Sequence, residues 1–259
     1  FGGEHDTANE TALGQIANYI APVFRNIVET EGEAALSMDE RAAFATFIIL
    51  MSNRTPRSFD LVDTGLKKLQ AKTHNEYIQQ MPDEEFRQIY DLVRSRHPEM
   101  KDISFEEAKE VMRTELKPEN LHATHSQGIY AMWLGVEQML PVVMGMDWTF
   151  YVPDDNQVFI TSDDPVVATI DVGDMLRLIK PGWGHPSVEV TLPLAPRLLV
   201  SVTHGRGTGR VLLSEEGVPF MNEQRVMMAG RFVYSSRKAD WQSIFQKRDE
   251  HVAASGEPE

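Results

Sequence analysis

The sequence predicts an α+β fold in which a helical half, residues 1–146, packs on an antiparallel or mixed β-sheet built from residues 147–236. Apolar residues recur at steps of three and four up to about residue 144, which is the spacing of one helix face. From Trp148 onward, short β-branched and aromatic runs alternate with turn residues, as in strands. Helices first and strands after is the order typical of α+β proteins.

The helical half is predicted to contain six helices. Capping-box patterns at Thr7, Ser37 and Ser104 predict three helix starts, because a Ser or Thr and an acidic residue three positions later can each bond the other's backbone N–H. Pro22 predicts a kink in the first helix. The first two helices carry Leu13 to Ile27 and Ala43 to Met51, and the others are predicted at about 58–72, 83–96, 105–116 and 120–144.

The β-rich half is predicted to contain seven strands and one helix. The strands are expected at 148–152, 157–161, 166–170, 188–194, 198–203, 210–214 and 231–235. The helix is expected at about 221–230, with Asn222 as its N-cap. The chain contains no repeat and no low-complexity tract. We expect a single domain over residues 1–259, with residues 237–259 as a C-terminal segment and acidic tail.

The composition limits the classes of function. A net charge of −14 repels polyanions, so binding of a nucleic acid or nucleotide requires a local cleft with clustered cations. The absence of cysteine excludes disulfides and thiolate metal sites and fits a cytoplasmic location. No apolar run reaches the roughly 18 residues that span a bilayer, so no membrane role is expected. A start at Phe1 without a basic, apolar leader predicts no signal peptide and a missing upstream segment.

The corner Ser162-Asp163-Asp164-Pro165 is the leading candidate site. It lies between two apolar runs, where proline and the polar side chains fix a turn. Asp163 and Asp164 are candidate ligands of a divalent metal ion, Mg²⁺ or Mn²⁺, since such ions prefer carboxylate oxygens. We expect Asp163 to be partly buried and to accept hydrogen bonds, and Asp164 to face water more. A purely structural turn is the alternative.

Arg54 is the second candidate. It ends the second helix in the sequence Asn53-Arg54-Thr55-Pro56-Arg57, where a cation can serve the helix dipole or can clamp a phosphate or carboxylate. Packing of that helix on the sheet would bring Arg54 near strand ends, so we predict that Arg54 and Asp163 share one pocket. The catalytic candidates are then Asp163, Arg54, Ser162 and Asn222.

Other polar groups give weaker signals. His122 and His125 lie three apart on a predicted helix but lack the spacing of a zinc motif and further ligands, so we expect surface or helix-start residues. His185 and His204 are similarly weak. The loop Gly205 to Arg210 superficially matches a phosphate loop, but a strand follows it where a helix is needed, so we expect a hairpin tip.

Several of these stretches together resemble the bacterial family called domain of unknown function 4238 (DUF4238), over about residues 8–236. The resemblance is carried by Asn53 to Pro56, Trp148, Phe159 to Val166, Leu192 to Pro196, Asn222 and Ala229 to Ser235. The family carries no established reaction. Relatives usually begin with a His-Tyr-Val-Pro-like segment that has no match here, and they tend to carry Glu near Ala17.

Two functions follow as expectations. The first is a metal-assisted hydrolase, a phosphodiesterase or nuclease of a bacterial stress or phage-defence type, in which an Asp-held metal activates water and Arg54 stabilises phosphoryl charge. The alternative is a non-catalytic binding or regulatory module whose helical half docks a protein partner. The acidic net charge favours the alternative.

Overall fold

The computed structural model describes residues 7–97, 102–114, 125–154, 156–172, 175–177, 182–238 and 245–246. Within these ranges the α+β prediction is confirmed, because six of the seven α-helices precede Asp147 and every strand begins at or after it. The chain divides into two compact units, Phe1–Arg57 with Met132–Glu259, and Ser58–Ala131. The single domain over residues 1–259 stays a prediction.

The helices follow the predicted order. They are α1 (Thr7–Glu29), α2 (Met38–Asn53), α3 (Pro56–Thr73), α4 (Asp83–Arg96), α5 (Phe105–Thr114), α6 (His125–Gly145) and α7 (Gly217–Met228), with a π-helical turn at His74–Ile78 after α3. None of the described helices is long and apolar enough to cross a membrane.

Two of the predicted capping boxes are confirmed. The Ser37 hydroxyl accepts from Glu40 N at 3.3 Å, and the Glu40 carboxylate accepts from Ser37 N at 2.9 Å. Ser104 and Glu107 repeat the arrangement at 3.2 and 3.0 Å. These reciprocal bonds satisfy backbone N–H groups that have no partner inside the first helical turn, and therefore they fix where each helix starts.

The strands form two sheets. They are β1 (Asp147–Val152), β2 (Thr161–Ser162), β3 (Val167–Val172), β4 (Met175–Arg177), β5 (Val188–Ala195), β6 (Leu198–Thr203), β7 (Gly209–Leu212) and β8 (Val233–Tyr234). The larger sheet has the order β4-β3-β5-β6-β1-β7 and is mixed, because β1 and β7 run parallel while its other pairs are antiparallel. The smaller sheet is the antiparallel pair β2 and β8.

Helix α2 packs on the larger sheet, and α1 packs on α2, through aromatic side chains. Phe44 of α2 lies against Trp148 of β1 with ring centroids 5.7 Å apart, and both are buried. The Arg41 guanidinium stacks over the same indole and donates to Met146 O at 2.6 Å. After α1 ends, Gly32 adopts a φ of +79° so close to Phe150 that a β-carbon would lie 2.1 Å from the ring. Only glycine fits this turn without a rearrangement.

The smaller unit contains a buried polar contact of its own. The His74 ring lies in the π-helical turn and is 4% exposed. Its Nε2 is 3.0 Å from Arg113 O and 3.1 Å from the side-chain amide of Gln79. Helices α4 and α5 are joined by an ion pair between Lys109 and Asp83 at 2.5 Å. These contacts tie the turn after α3 to the end of α5.

Three predictions of elements in the β-rich half were wrong. Residues 157–161 were expected to form a strand, but only Thr161 does, as part of β2. The last helix begins at Gly217 and not near 221, because Pro219 fits the first turn, where its missing N–H costs nothing. The loop after β6 is not a hairpin tip, since β1 lies between β6 and β7. The short strand β4 was not predicted.

Candidate functional site

The carboxylate of Asp163 holds a neighbouring loop. Its two oxygens accept backbone N–H bonds from Gly230 at 2.9 Å and from Arg231 at 2.7 Å, while its own N–H bonds Phe232 O at 3.1 Å. Asp163 is half-buried, so the prediction of a partly buried, hydrogen-bonded carboxylate is confirmed. Because both oxygens are committed to backbone donors, the side chain positions the segment leading into β8.

Ser162 and Asp164 are the buried residues of the corner. The Ser162 hydroxyl is buried and donates to Asp164 O at 2.8 Å, which closes the turn locally. The prediction that Asp164 faces water is wrong, since its side chain is 3% exposed. A carboxylate is buried only where other charges or donors compensate it. The compensating charge here is Arg225 of α7.

Arg225 is the residue that sequence reasoning missed. It is fully buried, and its Nη2 donates to Thr191 Oγ1 at 2.6 Å. Burial lowers the pKa of Arg225 to about 9, while the carboxylates of Asp164 and Glu189 oppose that shift. The usable signal was spacing, because Val218, Asn222 and Arg225 recur at steps of four and three on the buried face of α7.

Asn222 does not cap a helix. It lies inside α7, 5% exposed, and its amide bonds the chain between β1 and β2. Its Nδ2 donates to Val158 O at 2.9 Å, and its Oδ1 accepts from Ile160 N at 3.1 Å. The N-cap prediction is therefore wrong, and the same bonds explain why residues 157–160 form no ladder there. A side-chain amide takes the place of a strand neighbour.

The carboxylates that were predicted to bind a metal ion interact with other groups of the protein. Asp163 already accepts two backbone bonds, and the charge of Asp164 is balanced by that of Arg225. Within the ranges that the structure describes, no group of three or more His, Asp or Glu side chains could hold a metal ion. Divalent ions need several oxygen ligands around one point. We therefore derive no chemical step through a metal.

The histidines and the glycine-rich loop also have structural partners. Ser187 N donates to His185 Nδ1 at 3.2 Å, and His204 Nε2 bonds Trp183 O at 2.9 Å. His122 lies outside the described residues, whereas His125 begins α6. In the loop, Gly207 N donates to the Asp147 carboxylate at 3.0 Å. An acidic side chain therefore already occupies the position that a phosphate would need.

Arg54 lies at a different feature, a cavity between α1 and α2. It is the C-cap residue of α2, its N–H bonds Leu50 O at 2.9 Å, and its side chain is exposed. The cavity has a volume of about 720 Å³. Three of the described lining residues are charged, namely Arg25, Glu29 and Arg54. The others are apolar: Ile16, Ala17, Ile20, Ala21, Phe24, Val28, Phe47, Leu50 and Met51.

The described contacts of the predicted site residues belong to two features, the corner with α7 and the cavity. Ser162, Asp163 and Asn222 are held around the corner and α7, and none of them lines the cavity beside Arg54. A pocket shared by Arg54 and Asp163 therefore stays a prediction without support from these contacts. Ala17, where the family resemblance led us to expect Glu, does line the cavity with Arg54.

Comparison with known proteins identifies one family. A family model described as "Protein of unknown function (DUF4238)" matches residues 2–239 of the 259-residue chain. No curated protein and no solved structure matches the chain. The match spans both the helical part and the β-rich part, which confirms the resemblance drawn from the motifs.

Proposed function

The chain belongs to the DUF4238 family, which is described only as proteins of unknown function, and we propose that it is a non-catalytic binding or regulatory module. The proposed binding site is the α1–α2 cavity. The observation that carries the proposal is an apolar cavity of about 720 Å³ with Arg25 and Arg54 in its lining. Small-molecule sites are typically concave, mostly apolar and about 300–1,000 Å³ in volume, with a few polar groups that orient the ligand.

The roles of the polar corner residues support this proposal over catalysis. The polar side-chain atoms of the corner form hydrogen bonds with backbone groups, as seen for Asp163, Ser162 and Asn222. A nucleophile or general base needs a free atom within reach of substrate. The corner therefore supplies stability, and the cavity supplies a surface that the fold itself does not fill.

The metal-assisted hydrolase, a phosphodiesterase or nuclease of a stress or phage-defence type, stays an untested prediction. So does a nucleic acid or nucleotide partner in a local cleft. The described residues that were expected to bind Mg²⁺ or Mn²⁺ are engaged with backbone donors or with Arg225. This geometry is a reason to rank the binding module first.

The proposal is tested with a neutral dye whose fluorescence rises in apolar surroundings, such as Nile red. We expect saturable binding of one dye per chain. Ala21→Trp places an indole in the cavity lining and should abolish the signal. Ala35→Trp is the matched control, because Ala35 is exposed in the connection between α1 and α2 and does not line the cavity.

Two results would overturn the proposal. One is dye binding that survives Ala21→Trp, since the dye would then bind elsewhere. The other is dye release as the protein concentration rises, with a matching increase in molecular mass, since a second copy of the chain would then cover the cavity. Circular dichroism of both variants verifies that each retains its helices.

A further inference from the structure

We propose that the ligand of the α1–α2 cavity is an aliphatic carboxylate whose hydrocarbon chain lies along α1 and whose carboxylate is bound by Arg54. This inference rests on the proposed function, because it names the ligand class for the same cavity. The two proposals can be distinguished by experiment. Binding of an uncharged apolar ligand would support the proposed function but not the carboxylate as ligand.

The apolar lining that α1 contributes to the cavity extends along the helix axis. Ile16, Ile20, Phe24 and Val28 recur every four residues on one face of α1, so they form a continuous stripe. The lining of α1 from Ile16 to Glu29 covers thirteen residue steps, or roughly 20 Å at about 1.5 Å per residue. An unbranched hydrocarbon chain matches a stripe of this shape better than a compact ring does.

The charges at the cavity favour an anion in a protein whose net charge is −14. Arg25 and Arg54 are both exposed, and among the described residues neither guanidinium takes part in an ion pair or side-chain hydrogen bond. A guanidinium binds a carboxylate in two-pronged fashion, with two parallel N–H bonds. A bound carboxylate would therefore give a guanidinium at this cavity the ion pair that it does not form with the described residues.

Arg54 is the better anchor of the two cations. Glu29 also lines the cavity, one helical turn after Arg25 on the same face of α1, so its charge offsets that of Arg25 towards an anion. Among the described residues of the lining, no other side chain is acidic. Phe47 of α2 packs against Phe24 of α1 with ring centroids 5.6 Å apart. Arg54 follows Phe47 by seven residues, which is about two helical turns.

Ala17 gives the inference a matched pair of variants. Ala17 and Arg54 line the same cavity. Ala17→Glu adds a carboxylate that competes with the ligand for Arg54, whereas Ala17→Gln adds a side chain of nearly the same size without the charge. We expect Ala17→Glu to weaken binding of a carboxylate about tenfold more than Ala17→Gln does, the factor that corresponds to one charge-assisted hydrogen bond.

The experiment is calorimetric titration with decanoate, decan-1-ol and decyltrimethylammonium, which share one chain length and differ in head group. We expect decanoate to bind at least about tenfold more tightly than decan-1-ol in the unmodified protein. Arg54→Gln should remove this preference while leaving the affinity for decan-1-ol unchanged. Arg25→Gln is the control cation and should reduce the preference less.

The outcomes separate the two proposals. Equal binding of decanoate and decan-1-ol, or a preference that Arg54→Gln leaves intact, overturns the carboxylate and leaves the binding module standing. Tighter binding of decyltrimethylammonium overturns it in the same way. If none of the three ligands binds and the neutral dye does not bind either, both proposals fail. Because Arg54 is exposed, its replacement should not unfold the chain.

Discussion

The guanidinium of Arg225 on α7 and the carboxylate of Asp164 after β2 are buried together, and the carboxylate opposes the lowering of the guanidinium pKa by burial. Asp164 is 3% exposed and Arg225 is fully buried. A buried charge is costly unless an opposite charge or a set of hydrogen bonds compensates it. The hydrogen bond from Arg225 Nη2 to Thr191 Oγ1 of β5 attaches α7 to the sheet, and the two buried opposite charges add an electrostatic attraction.

We predict that Arg225→Met destabilises the protein by about 3–5 kcal/mol, because it leaves the carboxylate of Asp164 buried without its cation. Chemical denaturation measures the free energy of unfolding. The double variant Arg225→Met with Asp164→Leu should recover most of the loss, since apolar side chains of similar volume can replace two buried opposite charges.

Arg206→Met is the matched control for that measurement. Arg206 pairs with Glu189 at 3.4 Å, and its side chain is 48% exposed. An ion pair with an exposed cation contributes about 0–1 kcal/mol, and the Glu189 carboxylate, which is 14% exposed, keeps its bond from Ser201 Oγ at 2.6 Å, so this variant should stay near the unmodified protein. A double variant at Arg225 and Asp164 that is no more stable than Arg225→Met alone would show that the two charges do not compensate each other.

We predict that Asn222→Ala lowers the free energy of unfolding by about 1–3 kcal/mol, mainly because it leaves one buried backbone N–H without a partner and, in addition, removes a donor from a part-buried carbonyl. Those groups are Val158 O and Ile160 N. Asn18→Ala, on an exposed position of α1, should change stability by less than about 0.5 kcal/mol. An Asn222→Ala protein as stable as the control would contradict a structural role for this amide.

The structural roles of some residues could be predicted from the sequence, and those of others could not. Ser37 and Ser104 were predicted as helix starts because a capping box is complete within four residues. The change of period near Asp147 was likewise visible locally. Asn222 bonds residues 62 and 64 positions away, so no local pattern shows its partners. The predicted exposure of Asp164 failed for the same reason, since its compensating charge is on α7.

The cavity was not predicted because its lining looks like ordinary core. Ile16, Ile20 and Phe24 carry the helical spacing of a buried face, and the sequence alone does not tell a filled interface from an unfilled one. Arg54 was singled out correctly as a helix-end cation, but its neighbours were expected at strand ends. The described residues that line the cavity with Arg54 come from α1 and α2.

We predict a pH dependence at the start of α2. Hydrogen bonds from the backbone N–H and then the hydroxyl of Ser37 lower the pKa of Glu40 below 4.5. A lowered carboxyl pKa contributes stability that is present above the unfolded-state value and is lost as the pH falls through the folded-state value. The difference in free energy of unfolding between the unmodified protein and Glu40→Gln should therefore shrink from about pH 5 to about pH 3.

The second capping box provides an independent repeat of the measurement. The pKa of Glu107 is lowered by the same two kinds of bond from Ser104, so Glu107→Gln should show a difference of the same sign and pH range. A difference that is constant from neutral to acidic pH at both positions would mean that neither carboxylate gains from its charged form in the folded state.

The last prediction concerns divalent metal ions. A ligand that binds only the folded state raises the melting temperature, by an amount that corresponds to about 2.7 kcal/mol at a hundred times its Kd. Asp163 accepts from Gly230 and Arg231, and the charge of Asp164 is balanced by Arg225. We therefore expect millimolar Mg²⁺ or Mn²⁺ to leave the melting temperature unchanged, and EDTA likewise.

Asp163→Ala gives this titration its second arm. The variant loses both acceptors for the Gly230 and Arg231 N–H groups, so it should melt at a lower temperature with or without metal, by an amount equivalent to about 1–3 kcal/mol. A metal-dependent rise that is present in the unmodified protein and absent in Asp163→Ala would contradict the structural role. It would also restore the corner as a metal site and, with it, the hydrolase as the leading hypothesis.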